Sequence, residues 1–212
     1  MSSTPPEGSI GRTVEWMRDN QDTVWRRIGT AITLGIFLIV LSVLYLPSDL
    51  LFQNSDFENG SLLNWQVEEK AFLNQPTFGD NSYYSNRGSA HLVGNFYVGS
   101  YENRTNSYLP KGGVRGDEPV GRLTSMIFRI RGDKISFLIG GGDDSPREAV
   151  MLEVEGEVKL TARGRAIYIG GERMDRVTWD VSHWKGANAR IVIEDRSSGS
   201  WGHVSADDFR YR

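Results

Sequence analysis

Few residues in the chain are of a type and spacing that does chemistry. The three histidines, His91, His183 and His203, sit in no H-E-x-x-H pair, and no G-x-S-x-G elbow offers a serine nucleophile. Each is read as a polar strand or loop residue. Cysteine is absent, which excludes thiolate zinc sites, iron–sulfur clusters, disulfides and a cysteine nucleophile together. Gly140 to Gly142 lacks the following Lys-Ser/Thr and helix of a phosphate-binding loop, so these glycines are expected to serve backbone conformations closed to other residues. The loop Gly142 to Glu148 holds Asp143, Asp144 and Arg147, which suit a sugar-binding rim because carboxylates and guanidinium form bidentate hydrogen bonds to hydroxyl pairs. Solvated loop charge is the alternative. Tyr83, Tyr84, Phe96, Tyr97, Tyr101 and Tyr108 lie in a stretch rich in Asn, Ser and Gly, a composition that favours an interaction surface. Two Arg-Gly-Asp tripeptides, at Arg115 and Arg131, are short enough to arise by chance, and Asn59-Gly60-Ser61 and Asn103-Arg104-Thr105 are glycosylation sequons only by pattern.

The elements that must position these groups are short strands. Of 212 residues, 24 are glycine and only 7 proline, a balance that suits many strands joined by tight turns. Period-two alternation marks strands at Leu123 to Ile130, Ile135 to Ile139, Val150 to Val154 and Val158 to Leu160, the last two joined by a hairpin turn at Gly156-Glu157. Further strands are expected at Ala166 to Ile169, Arg176 to Val181, Ala189 to Glu194 and His203 to Tyr211. The pattern predicts an all-β, antiparallel sandwich, with Phe57, Trp65, Phe137, Trp179 and Phe209 filling the space between its sheets. Twenty-four Lys and Arg against 27 Asp and Glu give a net charge of −3, with no basic stripe for a phosphate backbone, so nucleic acid is not expected as a partner.

A different element precedes the sandwich. From Ile28 to Leu46 the only polar side chains are Thr30, Thr33, Ser42 and the Tyr45 hydroxyl, and nineteen helical residues reach about 28 Å, close to the ~30 Å thickness of a bilayer core. Residues 28–47 are therefore read as one transmembrane α-helix and residues 1–27 as a cytoplasmic arm with a short amphipathic helix. Residues 48–53 form a linker and residues 54–212 an exported domain. Arg18, Arg26 and Arg27 precede the span and no Lys or Arg occurs between Pro47 and Glu69, which keeps the N-terminus inside a bacterial cytoplasmic membrane. The span reads as an uncleaved signal-anchor, because LYLPSDLL offers no small-x-small cleavage site. Trp25, Arg26, Arg27 and Tyr45 stand where interfacial anchors belong, and Gly29, Ala31, Thr33 and Gly35 allow close packing against other spans without forming a GxxxG motif.

The sequence Asn54-Ser55-Asp56-Phe57-Glu58-Asn59-Gly60-Ser61-Leu62, followed by Trp65, resembles the N-x-D-F-E-x-G-x-L-x-x-W opening of galactose-binding-like jelly-roll modules. Ile135 to Gly142, Trp179-Asp-Val-Ser182, Ile191 to Asp195 and Trp201 to Phe209 follow in the order found in the C-terminal β-sandwich of levanase-type glycoside hydrolases. The resemblance spans residues 54–210 and implies a jelly roll without catalysis, since the catalytic carboxylates of those enzymes belong to a separate propeller. It further implies a structural calcium held by Glu58 and Asp207 or Asp208; the other reading is that these carboxylates cap turns and pair with Arg210 or Arg212. Two functions are expected. The main one is a non-enzymatic accessory subunit of a larger membrane complex, respiratory or photosynthetic, with the helix against partner spans. The alternative is a membrane-tethered module binding a fructan or cell-envelope glycan.

Overall fold

The computed structural model describes residues 21–44, 49–144, 146–165 and 171–212, with side chains omitted at 22, 24, 26 and 36–44. Two compact units divide the chain, Met1–Ser48 and Asp49–Arg212. In the first, helix α1 spans Gln21–Leu44. It begins inside the stretch read as the cytoplasmic arm and runs on without a break. The Thr33 hydroxyl donates back to the Gly29 carbonyl at 2.8 Å, the manner in which a threonine satisfies itself on an apolar helix. Among the described residues no helix is long and apolar enough to cross a membrane. The transmembrane assignment of residues 28–47 therefore has no support from the structure and is taken up again below as a proposal.

The second unit is a two-layered sandwich. Its strands are, in chain order, β1 (Trp65–Glu69), β2 (Thr77–Phe78), β3 (Phe96–Gly99), β4 (Gly121–Ser125), β5 (Phe128–Arg129) and β6 (Lys134–Gly141). After these come β7 (Glu148–Val154), β8 (Glu157–Ala162), β9 (Asp175–Asp180), β10 (Asn188–Asp195) and β11 (Val204–Tyr211). One sheet has the order β1-β4-β10-β7-β8 with β5 also paired to β10; the other has the order β2-β3-β11-β6-β9. All pairings are antiparallel. A four-residue helix, α2 (Asn81–Tyr84), and a short 3₁₀ turn at Ser182–Trp184 complete the unit.

Side-chain alternation dictates which face each strand buries. In β6, Ile135, Phe137 and Ile139 enter the main core, whereas Leu138 turns to a small second cluster with Ala90, Tyr97 and Met174. In β10, Ala189, Ile191 and Ile193 do the same from the opposite sheet. The aromatic side chains expected between the layers are there: Phe137 stacks on Phe209 at 5.0 Å and meets Trp179 edge-on at 4.6 Å, while Phe57 stacks on Trp65 at 4.9 Å. Such pairs add about 0.5–1.5 kcal/mol each to the burial of their area.

Three details depart from the periodicity. The hairpin between β7 and β8 turns at Glu155-Gly156, with φ of 49° and 84°, one residue earlier than spacing suggests, because a two-residue turn matching strand twist needs φ > 0 at both central positions. The strand expected over Leu123 to Ile130 breaks at Met126 and Ile127, which separate β4 from β5. The strand expected at 166–169 lies outside the described residues. Gly141, with φ of +94°, lies so close to β11 that an added Cβ would meet the His203 carbonyl oxygen at 2.2 Å, the backbone role expected of that glycine run.

Candidate functional site

Register and pairing give the sandwich two distinct ends. At one, β1, β6 and β10 begin and β4 and β11 finish; at the other, β3 and β10 finish beside the start of β11. The loops at this second end enclose an open cavity of about 510 Å³. Asn86, Arg87 and Gly88 come from the segment after α2, Tyr101 follows β3, Asp117 precedes β4, Glu172 precedes β9, and Trp201 and His203 lead into β11.

A chain of paired charges forms the floor. His203, 3% exposed, donates from Nδ1 to Asp117 at 2.6 Å and from Nε2 to Glu172 at 3.0 Å. Arg87 Nη1 lies 2.9 Å from the other oxygen of Glu172, at ion-pair distance though off hydrogen-bond alignment, and Nη2 donates to Glu102 at 2.6 Å. Asn81 supplies Glu102 with a further donor at 2.5 Å, and Ser85 accepts from Arg87 Nε at 2.8 Å. Burial works against the His203 charge, but its two carboxylate partners win and push its pKa up to about 9. Burial likewise disfavours charge on Glu172, yet His203 and Arg87 hold that carboxyl below its usual range. Glu102 is pushed up by burial, which Arg87 and Asn81 offset only in part. At neutral pH the imidazole is therefore a cation with both nitrogens occupied, which disqualifies it as a general base.

The walls are aromatic. The Arg87 guanidinium lies over the Tyr101 ring at 4.6 Å, Tyr101 and His203 are 5.0 Å apart, and Trp201 stacks on His203 at 5.8 Å. Flat apolar faces beside fixed donors and acceptors can hold a ring that carries hydroxyl groups on its edge and C–H groups on its face. A second cavity, of about 340 Å³, lies at the opposite end against Ile127, Glu153, Glu155 and Arg190; among the described residues it has no comparable buried charge network.

The residues expected to carry function fall in separate places. Asp144 and Arg147 pair with each other on an exposed loop, and the Asp143 carbonyl accepts from Arg163 at 3.3 Å. Gly142 at the head of that loop abuts the Trp201 carbonyl, but none of the three side chains lines the cavity. On α1, Gly29, Ala31 and Thr33 are exposed and Gly35 is half-buried, while Trp25 and Arg27 are exposed; the Arg26 side chain and Tyr45 lie outside the described residues.

Glu58 and Asp207, from the opening and closing segments, converge on the loop 93–96. Glu58 accepts the backbone N–H of Asn95 at 2.9 Å and of Phe96 at 2.8 Å, and Asp207 accepts that of Val93 at 2.8 Å. The second Asp207 oxygen is buried with no partner, and burial pushes this carboxyl well above its usual range. Asp208 faces elsewhere, between Arg176 at 2.7 Å and Arg210. The orphan oxygen of Asp207 is free to meet a hard cation, whereas both Glu58 oxygens already accept backbone N–H groups. Asp208, already engaged by two guanidinium groups, is not free to do so. Among the described residues no group of three or more His, Asp or Glu is arranged around a common point, so backbone carbonyls would have to complete such a site.

Sequence reasoning named Tyr101, His203 and Asp117 without joining them, and passed over Arg87 and Glu172. Their signal is spatial: five loops contribute one to three residues each, and no spacing in the chain reveals it.

No family model matches the chain. Over 94 residues, 44% of its length, the chain is 37% identical to a putative glycosyl hydrolase of Aspergillus rugulosus, of which it spans only 13%. Among solved structures it is similar to a cyclase from Fischerella (TM-score 0.45, 16% identity, covering 76% of this chain and 94% of that one). It is similar also to a carbohydrate-binding module, TmCBM61, solved with β-1,4-galactotriose (TM-score 0.45, 14% identity, 76% and 95% covered). At these scores neither neighbour bears on what the chain does.

Proposed function

We propose that residues 49–212 are a non-catalytic glycan-binding module and that α1 tethers it to a bacterial cytoplasmic membrane, N-terminus inside. The observation that carries the reading is the cavity between Tyr101 and Trp201, floored by the Asp117–His203–Glu172–Arg87 network. Its anions, Glu102, Asp117 and Glu172, are balanced to within one charge by Arg87 and His203, which suits a neutral sugar better than a strongly acidic one. Carboxylates and guanidinium fixed by each other present acceptors and donors in set directions, and two rings supply apolar faces. Catalysis is disfavoured by the same network, because its acid and base groups are already paired. The match to a putative glycosyl hydrolase adds support for a carbohydrate ligand.

Calcium enters the proposal as a structural ion. Held by Asp207 and Glu58, it would tie the loop 93–96 to β11 and supply no chemistry to the cavity. The accessory-subunit expectation has no comparable site behind it.

The test is an oligosaccharide array probed with residues 49–212, followed by calorimetry on the best ligand. Tyr101→Ala and Trp201→Ala are each expected to weaken binding about tenfold or more, at ~1–2 kcal/mol for a lost stacking face. Failure to bind any glycan, or undiminished binding by Trp201→Ala, overturns the proposal; recovery of the full chain from native membranes in a large complex of fixed stoichiometry would revive the accessory-subunit reading.

A further inference from the structure

The end of the sandwich remote from the cavity is where the chain enters it. Asp49 lies against the last strand: its carbonyl accepts the Tyr211 N–H at 2.6 Å, and its carboxylate accepts from Arg210 at 3.1 Å. Only residues 45–48 separate this point from Leu44, the last residue of α1. Gln53, four residues on, takes the Asn64 side-chain amide at 2.9 Å, and the Asn64 carbonyl takes the Met126 N–H at 2.7 Å.

Around this junction three large apolar side chains face outward: Leu63 at 48% exposure, Met126 at 45% and Ile127 at 52%. Met126 and Ile127 are the residues that break the strand between β4 and β5, so the interruption turns both outward where a continued strand would have buried one of them. At the same end are four exposed cations, Arg129, Arg131, Lys134 and Arg212. The first three have no carboxylate at ion-pair distance among the described residues, and Arg212 reaches Asp208 only at 4.0 Å. The carboxylates at this end are engaged locally: Asp133 pairs with Lys185 at 2.7 Å, Glu155 beside Ile127 accepts the Asn188 N–H at 2.7 Å, and Asp180, opposite Lys134 in the β6–β9 register, accepts the Ser182 hydroxyl at 2.6 Å.

We infer that this end of the sandwich rests on an anionic lipid surface, with Leu63, Met126 and Ile127 entering the headgroup boundary and the Arg and Lys side chains meeting lipid phosphates. Exposed apolar side chains at the same end as cations that no carboxylate neutralises are what a protein lying on such a surface presents. The bilayer is chosen as occupant because the patch lies at the end of the sandwich where the chain arrives from α1. The inference rests on the tethering half of the proposed function and is independent of the sugar-binding half. It assigns the sandwich an orientation, with the cavity directed away from the membrane.

The experiment uses residues 49–212, whose aromatic core lies wholly within that stretch, sedimented with phosphatidylglycerol-rich or pure phosphatidylcholine vesicles. Association with the anionic vesicles is expected, decreasing with salt. Met126→Asp/Ile127→Asp is expected to lower partitioning about tenfold or more, with an unchanged melting temperature and unchanged affinity for any glycan the parent binds. No association with either vesicle, or equal association of parent and double variant, overturns the inference. A dimer in solution that the double variant dissolves assigns the patch to a second copy of the chain and also overturns it. Loss of vesicle binding with glycan affinity intact separates a failure here from a failure of the cavity.

Discussion

Replacing His203 with glutamine tests the charge network through the pH dependence of stability. The imidazole has a pKa of about 9 in the folded state against 6.5 when unperturbed. A pKa raised by folding adds stability that is fully present below about pH 6.5 and lost as pH rises through about 9. At ~1.4 kcal/mol per pH unit the difference amounts to about 3 kcal/mol. His203 is 3% exposed and Glu172, itself buried, is also held by Arg87 at 2.9 Å, so solvent screening removes little of this. The assay is urea denaturation of residues 49–212 by tryptophan fluorescence between about pH 6 and pH 9.5. The parent is expected to lose about 3 kcal/mol across that range, and His203→Gln much less. The glutamine variant should also be the less stable of the two near pH 6, where it leaves Asp117 and Glu172 without a cation between them. Parallel profiles for the two proteins would refute the claim that His203 is a buried cation.

Other perturbations report on separate parts of the molecule. Asp195, buried with one oxygen unpartnered, is pushed up to about 7 by burial; its neutral form favours folding, so this stabilisation is present below its unfolded value and lost as pH rises from about 4 to about 7. Asp195→Asn is therefore expected to be the more stable protein at pH 8 and no better at pH 4, by thermal denaturation; a less stable Asn variant at pH 8 would contradict this. Gly141→Ala places a Cβ 2.2 Å from the His203 carbonyl at a φ of +94° and should destabilise by about 2 kcal/mol or more in urea melts, with no change read as a failure. Calcium should raise the melting temperature of the parent and leave that of Asp207→Ala unmoved; a parent equally stable in chelator would remove the cation from the 93–96 loop.

The layers of the fold were legible in the sequence because alternation is a local signal. Phe209 and Trp179 announce their burial by standing between polar neighbours, and Phe137 by sharing every second position with Ile135 and Ile139; a sheet that buries one face must obey that period. The early strands were not legible. In β1, Gln66, Glu68 and Glu69 mask the pattern, and β2, at two residues, and β3, at four, are too short to display a period. The break at Met126-Ile127 was hidden for the opposite reason: both residues are apolar, and alternation alone does not distinguish a strand from an apolar surface.

The site was the least legible part. His203 and Trp201 lie in a motif read for its core phenylalanine, Asp117 in a tripeptide set aside as chance, and Arg87 in a polar loop without periodicity. Strand order brings them together: β11 lies between β3 and β6, so residues before β11 meet the residue after β3. The carboxylates of the 142–148 loop stand out in the sequence because charge is dense there, yet exposed charge is the ordinary state of a loop.

The most direct test of carbohydrate recognition is a titration of ¹⁵N-labelled residues 49–212 with the best oligosaccharide from the array, following indole and backbone N–H signals by NMR. The expected result is movement of the Trp201 indole and of the amides of Tyr101, Asn86 and Gly88, with the signals of Met126 and Ile127 at the other end unmoved. Binding that shifts only residues of the opposite end, or of the exposed 142–148 loop, would contradict the assignment of the cavity as the sugar site.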